Sequence, residues 1–227
     1  MLHKGRLALG ATAMLVCAAA QRVQGQSVLA MQGNIFLRER NGTVQQLTSS
    51  GHDSDPSLSS DGATAVFVRV LRDRPDASGL GRVVDQSEIA CIDLANQTHG
   101  VRVLLGAPVE ARGLRFQWFS SPRFALDGLS VYFLVPDYST VSPGLFSVEL
   151  KSGRTRCLAV AHKFWEVGTG QFKGDLIVWQ RPMFIGGGRY DIFNMITASG
   201  DLVGVVGFDG AKVNAFLSEQ DYARDRR

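Results

Sequence analysis

Pro56-Ser57-Leu58-Ser59-Ser60-Asp61-Gly62 and Pro122-Arg123-Phe124-Ala125-Leu126-Asp127-Gly128 align without gaps, and each runs directly into an apolar stretch, Ala63 to Val68 and Leu129 to Val135. These stretches are rich in Val, Phe and Tyr, which suit a pleated, half-buried surface. An Asp-Gly pair between two apolar segments signals a hairpin, because both residue types tolerate a positive φ. The reading is strand, tight turn, strand.

A second pattern recurs outward from these two. Asn34-Ile35-Phe36-Leu37 precedes Asn41-Gly42, Glu88-Ile89-Ala90-Cys91 precedes Asn96, Gly144-Leu145-Phe146-Ser147 precedes Ser152-Gly153, and Asp191-Ile192-Phe193-Asn194 precedes Ser199-Gly200. A return strand follows each turn: Val44 to Leu47, Val101 to Leu105, Thr155 to Leu158 and Leu202 to Val206. In chain order the two patterns make a unit of four short strands. Residues 27 to 48 supply only its second hairpin, residues 54 to 105 and 120 to 160 supply both, and residues 164 to 206 supply a looser copy with Phe172-Lys173-Gly174-Asp175 at the first turn. Four strands in roughly 40 to 50 residues is the spacing of a propeller blade, a small sheet that buries its faces only against its neighbours. No segment keeps a helical period.

The expected fold is therefore all-β: a β-propeller of four-stranded blades over residues 26 to 216, with about three and a half to four blades, complete or incomplete. Closure has a physical motive, because an open wheel exposes sheet faces and edge strands. The segment from Phe208 through Asp209 and Val213 to Phe216 is a candidate partner for the N-terminal half blade that would close a ring of four. An open wheel and a homodimer of two incomplete wheels are the alternatives.

The run Leu47-Thr48, His52-Asp53-Ser54-Asp55-Pro56-Ser57-Leu58-Ser59-Ser60-Asp61-Gly62, then Val66-Phe67, resembles the repeat of the TolB-like propellers. That repeat passes from a Leu-Thr strand end through a His/Asn-Asp-x-x-Pro turn to Ser-x-Asp-Gly. Ser121-Pro122 through Asp127-Gly128 to Phe133 repeats the likeness, which extends to the propeller that precedes the catalytic domain of dipeptidyl-peptidase-type enzymes. Ser59-Ser60 stands where that family usually has Ser-Pro, and such wheels usually close with six blades. The resemblance implies fold strongly and function weakly. Since TolB-like proteins work with peptidoglycan-associated envelope proteins, it implies an interaction platform; since some relatives are lyases, it also implies a small-molecule or glycan ligand held in the central channel.

The first residues carry a separate signal. His3, Lys4 and Arg6 precede an apolar run from Leu7 to Ala20 and then a polar stretch, the pattern of a secretory signal peptide. The run is short of the roughly 20 residues a membrane span needs. Cleavage follows Ala20 or Gly25, with a mature start near Gln26, so residues 1 to 25 contact the membrane only in transit and the expected location is periplasmic or secreted. Val16 before Cys17 argues against a lipoprotein signal. Residues 217 to 227 read as a polar tail. A net charge of +3 from interspersed Lys and Arg does not suggest nucleic acid. Export leaves Cys91 and Cys157, either bridged in an oxidising compartment or present as two buried, inert thiols.

No catalytic constellation is legible. Nucleophilic hydrolysis needs a Ser on a sharp turn with a base and an orienting acid, and no Gly-x-Ser-x-Gly elbow occurs. His52, His99 and His162 are scattered, and the acids around His52 read as turn-stabilising groups rather than metal ligands. Neither a cofactor nor a metal is expected. Gly186-Gly187-Gly188-Arg189-Tyr190-Asp191 lies between strands with no helix to receive a phosphate, and reads as an extended hairpin turn. The candidate interaction residues are Arg189 and Tyr190 at that tip, together with Arg112, Arg115 and Trp118 in an aromatic and basic cluster with Phe116 and Phe119. The expected partners are envelope or periplasmic proteins, a second copy of the chain among them.

Overall fold

A computed structural model describes residues 25–71, 86–96, 100–111, 114–136, 143–183, 186–209 and 213. Among them seventeen strands follow one another: β1 (Ser27–Met31), β2 (Asn34–Arg38), β3 (Val44–Gln46), β4 (Asp53–Leu58), β5 (Thr64–Leu71), β6 (Gln86–Asp93), β7 (Val101–Leu105), β8 (Val109–Ala111), β9 (Leu114–Phe116), β10 (Ser120–Phe124), β11 (Ser130–Val135), β12 (Gly144–Glu149), β13 (Thr155–Val160), β14 (Lys163–Glu166), β15 (Leu176–Gln180), β16 (Ile192–Ile196) and β17 (Leu202–Gly207). They form a first sheet β1-β2-β3, a second β4-β5-β6-β7, a third β10-β11-β12-β13, a fourth β14-β15-β16-β17, and a small β8-β9 hairpin. All neighbouring strands are antiparallel and consecutive. Successive four-stranded meanders stacked face to face are propeller blades, so the all-β blade architecture expected from the repeat is what the chain adopts.

The first unit differs from its expected form. It holds three strands rather than one hairpin, because Ser27–Met31 pairs with Asn34–Arg38 across a two-residue turn. Gln32 (φ 51°) and Gly33 (φ 71°) both take the left-handed conformation, as a primed hairpin turn requires. Gln is not a turn signal, which hid β1 in the sequence. Gly33 is required for a second reason, since a Cβ there would lie 2.1 Å from the Gly51 carbonyl oxygen.

The Asp-Gly turns also differ in detail. Gly62 (φ 73°) and Gly128 (φ 69°) are left-handed, but Asp61 and Asp127 are not. The Gly62 and Gly128 amides donate to the carbonyls of Ser59 and Ala125, three residues back. These are ordinary turns followed by a Gly bulge. Asp61 serves by its side chain, accepting from the Ser59 hydroxyl at 2.6 Å and the Ala63 amide at 3.0 Å, and the Ser59 bond foremost holds its carboxyl below the usual range.

Period-two alternation places the core between sheets. Ala65 and Phe67 of β5, with Ala90 and Ile92 of β6, meet Ile35 of the first sheet. Val66, Ile89 and Cys91 on the other face meet Val131, Phe133 and Val135 of β11 and Phe146 and Val148 of β12. Tyr132, Leu134 and Leu145 then meet Phe164, Leu176, Val178 and Ile196 of the fourth sheet. Cys91 and Cys157 are both free thiols beside the second of these clusters, and burial pushes the Cys91 thiol up.

Closure by Phe208 to Phe216 is not what the described residues show. The Val213 amide donates to the Asp209 carbonyl in a helical turn, and the Val213 side chain packs on Val167, Ile177 and Phe193, the face of the fourth sheet turned away from the third. Apolar Val213 is worth more as a cover for this face than as part of an edge strand. Among the described residues no core cluster joins the first sheet to the fourth. Residues 210–212 and 214–216 of the proposed closing segment lie outside the described residues, as do the signal peptide and the tail from residue 217.

Candidate interaction surface

Antiparallel order assigns every connection to one of two ends. One end carries the turns of Asp61-Gly62, Asp127-Gly128, Asn41-Gly42, Ser152-Gly153 and Ser199-Gly200, the connection from Asp93 to Val101 and the longer Val167–Asp175 connection. The opposite end carries the link from Leu71 to Gln86, the segment 106–119 with the β8-β9 hairpin, the link from Val135 to Gly144, and the segment 181–191. Long connections on a rigid frame are where binding residues concentrate.

Four of the candidate residues, Arg115, Trp118, Arg189 and Tyr190, belong to this end. Arg115 is exposed on β9, and Trp118 is half-buried just before β10. Arg112 lies outside the described residues. The aromatic cluster splits: Phe116 and Phe119 enter the core between the second and third sheets, with ring centroids 5.7 Å from Phe146 and 5.5 Å from Phe133 respectively. Fully buried Ser87 fixes the approach, its hydroxyl accepting from the Phe119 amide at 2.7 Å while its amide donates to the Gln117 carbonyl at 2.9 Å.

In the fourth sheet, an isolated antiparallel bridge joins Met183 to Arg189 across the glycines, with Gly187 and Gly188 near φ 90°. Arg189 is exposed, and the half-buried Tyr190 ring lies 6.5 Å from that of Phe208. Behind this tip the Trp179 indole donates to Asp191 at 2.9 Å, Arg181 pairs with the same carboxylate at 3.1 Å, and the Arg181 guanidinium lies 5.9 Å from the Trp179 ring. His162 packs against Trp179 at 5.6 Å, and its buried Nε2 finds no hydrogen-bond partner among the described residues. Burial first, then the Arg181 and Arg189 charges, lowers its pKa, so it is a neutral imidazole at physiological pH.

One cluster at this end escaped the sequence reading. Asp53, Arg69 and Glu88 stand directly opposite one another on β4, β5 and β6. Arg69 donates to both Asp53 oxygens, at 2.7 and 3.0 Å, while Asp53 is 2% exposed and Glu88 9%. The Asp53 amide donates to the Gly33 carbonyl at 2.7 Å, which ties this cluster to the turn of the first sheet. Aligning the Asp-Gly turns puts Phe119 and Val135 of the third sheet at the positions of Asp53 and Arg69, and Gly144 opposite Val135 as Glu88 is opposite Arg69. An apolar layer in one blade is thus a charged layer in another. The available signal was a charge inside an otherwise apolar central strand, which is rarely buried unless paired.

Burial pushes the Asp53 carboxyl up, but hydrogen bonds from Arg69, Thr48 and Ser50 and the Arg69 charge outweigh it, so its pKa falls below the usual value. Glu88 ends above its usual value: burial dominates, Asp53 adds to it, and the attraction of Arg69 offsets only part. A carboxyl with a raised folded-state pKa contributes stability below the unfolded-state value that is lost as pH rises through the folded one. Glu88→Gln is therefore expected to raise the melting temperature at pH 7, with the gain shrinking as pH falls below the ordinary carboxylate range. A melting series against pH checks this.

Among the described residues no three His, Cys, Asp or Glu side chains gather at metal-ligand spacing. Asp55, in the acidic turn after His52, instead accepts from the Ser121 amide at 3.0 Å and links β4 to β10. Both residues precede a proline and both have positive φ, 49° and 52°, at matching bulges.

No protein-family model matches the chain, and no curated protein sequence matches it. Solved structures do. A dipeptidyl peptidase 4 from Porphyromonas gingivalis is 11% identical with a TM-score of 0.49, the match covering 81% of this chain and 31% of that one. The β-propeller domain of the Trilobed protease from Pyrococcus furiosus is 13% identical (TM-score 0.46, 68% of this chain and 42% of that one), and TolB from Acinetobacter baumannii is 13% identical (TM-score 0.34, 74% and 47%). The match thus spans less than half the length of each. No helix of the described residues is long and apolar enough to cross a membrane. The propeller assignment stands on the order and stacking of the sheets themselves, and the structures similar to this chain include the two kinds of protein that the repeat resembles.

Proposed function

We propose that this chain is an exported, non-catalytic β-propeller that binds a protein partner of the cell envelope through the end carrying its long connections. The observation behind this reading is that Arg115 and Trp118, and Arg189 and Tyr190, far apart in sequence, belong to connections at the same end of stacked, rigid sheets. Arg, Trp and Tyr are the residue types that dominate binding energy at protein interfaces. The envelope location rests on the signal-like first 25 residues and on the TolB-like repeat.

The test is affinity capture from envelope extract with the chain starting at Gln26, followed by light scattering of the recovered complex. A partner is expected to be retained by the unaltered chain. Its affinity is expected to fall about tenfold or more in Arg189→Ala/Tyr190→Ala and in Arg115→Ala/Trp118→Ala. Capture indifferent to both pairs of substitutions would remove this reading.

A further inference from the structure

The first and fourth sheets end the row of blades differently. The face that the first sheet turns away from the second mixes Leu29, Met31 and Phe36 with Asn34, Arg38 and Gln46, as an end unit in contact with water requires. The face that the fourth sheet turns away from the third is apolar from strand to strand: Trp165 of β14, Ile177 and Trp179 of β15, and Phe193 and Met195 of β16. Its rings run together, with Phe193 6.3 Å from Trp165 and stacked on Trp179 at 6.4 Å. In the second and third sheets the equivalent face is buried against the next blade. Among the described residues no further sheet covers the fourth.

One residue from outside the sheet is already seated on this face. Val213 is 4% exposed and packs on Val167, Ile177 and Phe193, while its amide donates to the Asp209 carbonyl at 3.0 Å, one helical turn back. β17 leaves room for it. Gly204 and Gly207 stand opposite Met195 and Phe193, and a Cβ on Gly207 would lie 3.3 Å from Val213 Cγ2, a tight contact. Around Val213, Trp165, Trp179 and Met195 are half-buried, an apolar rim that one valine is too small to screen.

We propose that the stretch following Val213 completes this cover, with Phe216 and Leu217 lying on the rim of Trp165, Trp179 and Met195, so that the chain caps its own fourth sheet and withholds that face from a second copy. Residues 214–217 lie outside the described residues, and their sequence supplies the match. Phe216 and Leu217 fall three and four positions after Val213, the spacing that continues one face of a helical turn, while Asn214 and Ser218 fall off it. At about 1.5 Å per residue they stand within about 6 Å of Val213 along such a turn, inside the width of four strands about 4.8 Å apart. Charge agrees. Lys163 shares this face, its ammonium 4.9 Å from the centroid of the Trp165 ring, and makes no ion pair among the described residues; Glu219 and Asp221 follow Leu217. A second copy stacked through the same face would instead add another Lys163, while Asp191 is already held by Arg181 and Trp179.

The three tryptophans, Trp118, Trp165 and Trp179, provide the readout. Their indole N–H signals are assigned by Trp→Phe variants of the ¹⁵N-labelled chain starting at Gln26. In the unaltered chain, nuclear Overhauser contacts are expected between the Phe216 ring and the Trp165 or Trp179 indole, and none to Trp118. Phe216→Ser/Leu217→Ser is expected to shift both of those indole signals and to lower the melting temperature by about 6 to 12 °C, whereas Ser218→Ala moves neither. Absence of the contacts in the unaltered chain would overturn the proposal, whether or not the double variant folds. So would a double variant that melts like the unaltered chain. Contacts that arise only between differently labelled copies in a mixed sample would also overturn it, since the cover would then be a second chain. The partner surface at the loop-bearing end survives each of these results.

Discussion

Arg69→Ala is expected to destabilise the chain by about 3 to 5 kcal/mol, the loss usual when one member of a buried ion pair is removed and the other left behind. The reason lies with its partner. The Asp53 side chain has no exposure to water, and two of its hydrogen bonds come from the guanidinium. Without Arg69, an ionised carboxylate would sit between the first and second sheets, facing Glu88 with no cation between them. Removing both charges is a different matter. Asp53→Asn combined with Arg69→Met removes the fully buried carboxylate together with its cation and leaves only Glu88, whose carboxyl burial already shifts toward the neutral form, so the double variant is expected to recover most of the loss. The pH dependence carries a sign of its own. Asp53 has a depressed folded-state pKa, so its contribution is present above the ordinary carboxylate pKa and lost as pH falls through the folded value. The gap between the unaltered chain and Arg69→Ala should therefore narrow in acid. Urea unfolding of the three proteins at pH 7 and in acid measures all of this; equal stability of Arg69→Ala and the unaltered chain at pH 7 would show that the pair is not buried.

Phe133→Ala should cost a similar amount, about 3 to 5 kcal/mol, by another route. Phe133 is fully buried between the second and third sheets, edge-on to Phe119 at 5.5 Å and stacked on Phe146 at 5.8 Å. Deleting its ring removes the transfer energy of the side chain and leaves a cavity that two rigid sheets cannot collapse to fill. Each blade is stable only through its neighbours, so the loss falls on the stacking itself. Leu129, in the adjoining Asp-Gly turn and 65% exposed, is the control, with Leu129→Ala expected within about 0.5 kcal/mol of the unaltered chain. Calorimetry of the two variants decides it, and a small loss at Phe133 would mean that the sheets do not pack as described.

The blades were legible because their signals are local. An Asp-Gly turn, an alternation of Val and Phe and a return strand all lie within about a dozen residues, and each acts through φ, pleat and propensity. β1 was missed because its turn, Gln32-Gly33, depends on a left-handed Gln that no propensity suggests, held where Gly51 passes within contact of Gly33. The candidate residues were legible only as types. Phe116, Trp118 and Phe119 look alike in sequence, yet two of them joined the core between the second and third sheets and half-buried Trp118 did not.

The repeat, the all-β class, the four-stranded unit and the absence of a recognisable nucleophile elbow follow from the sequence by itself, since each depends on residues close together in the chain. What faces what was decided by tertiary structure. The stacking of β5 on β11 turned one layer into a buried Asp53-Arg69-Glu88 cluster and the matching layer into Phe119, Val135 and Gly144. The same stacking sent Val213 to cover the last sheet. Such outcomes depend on contacts between residues tens of positions apart, whose energies are set by burial and by which charges lose their water, and no local pattern carries that information.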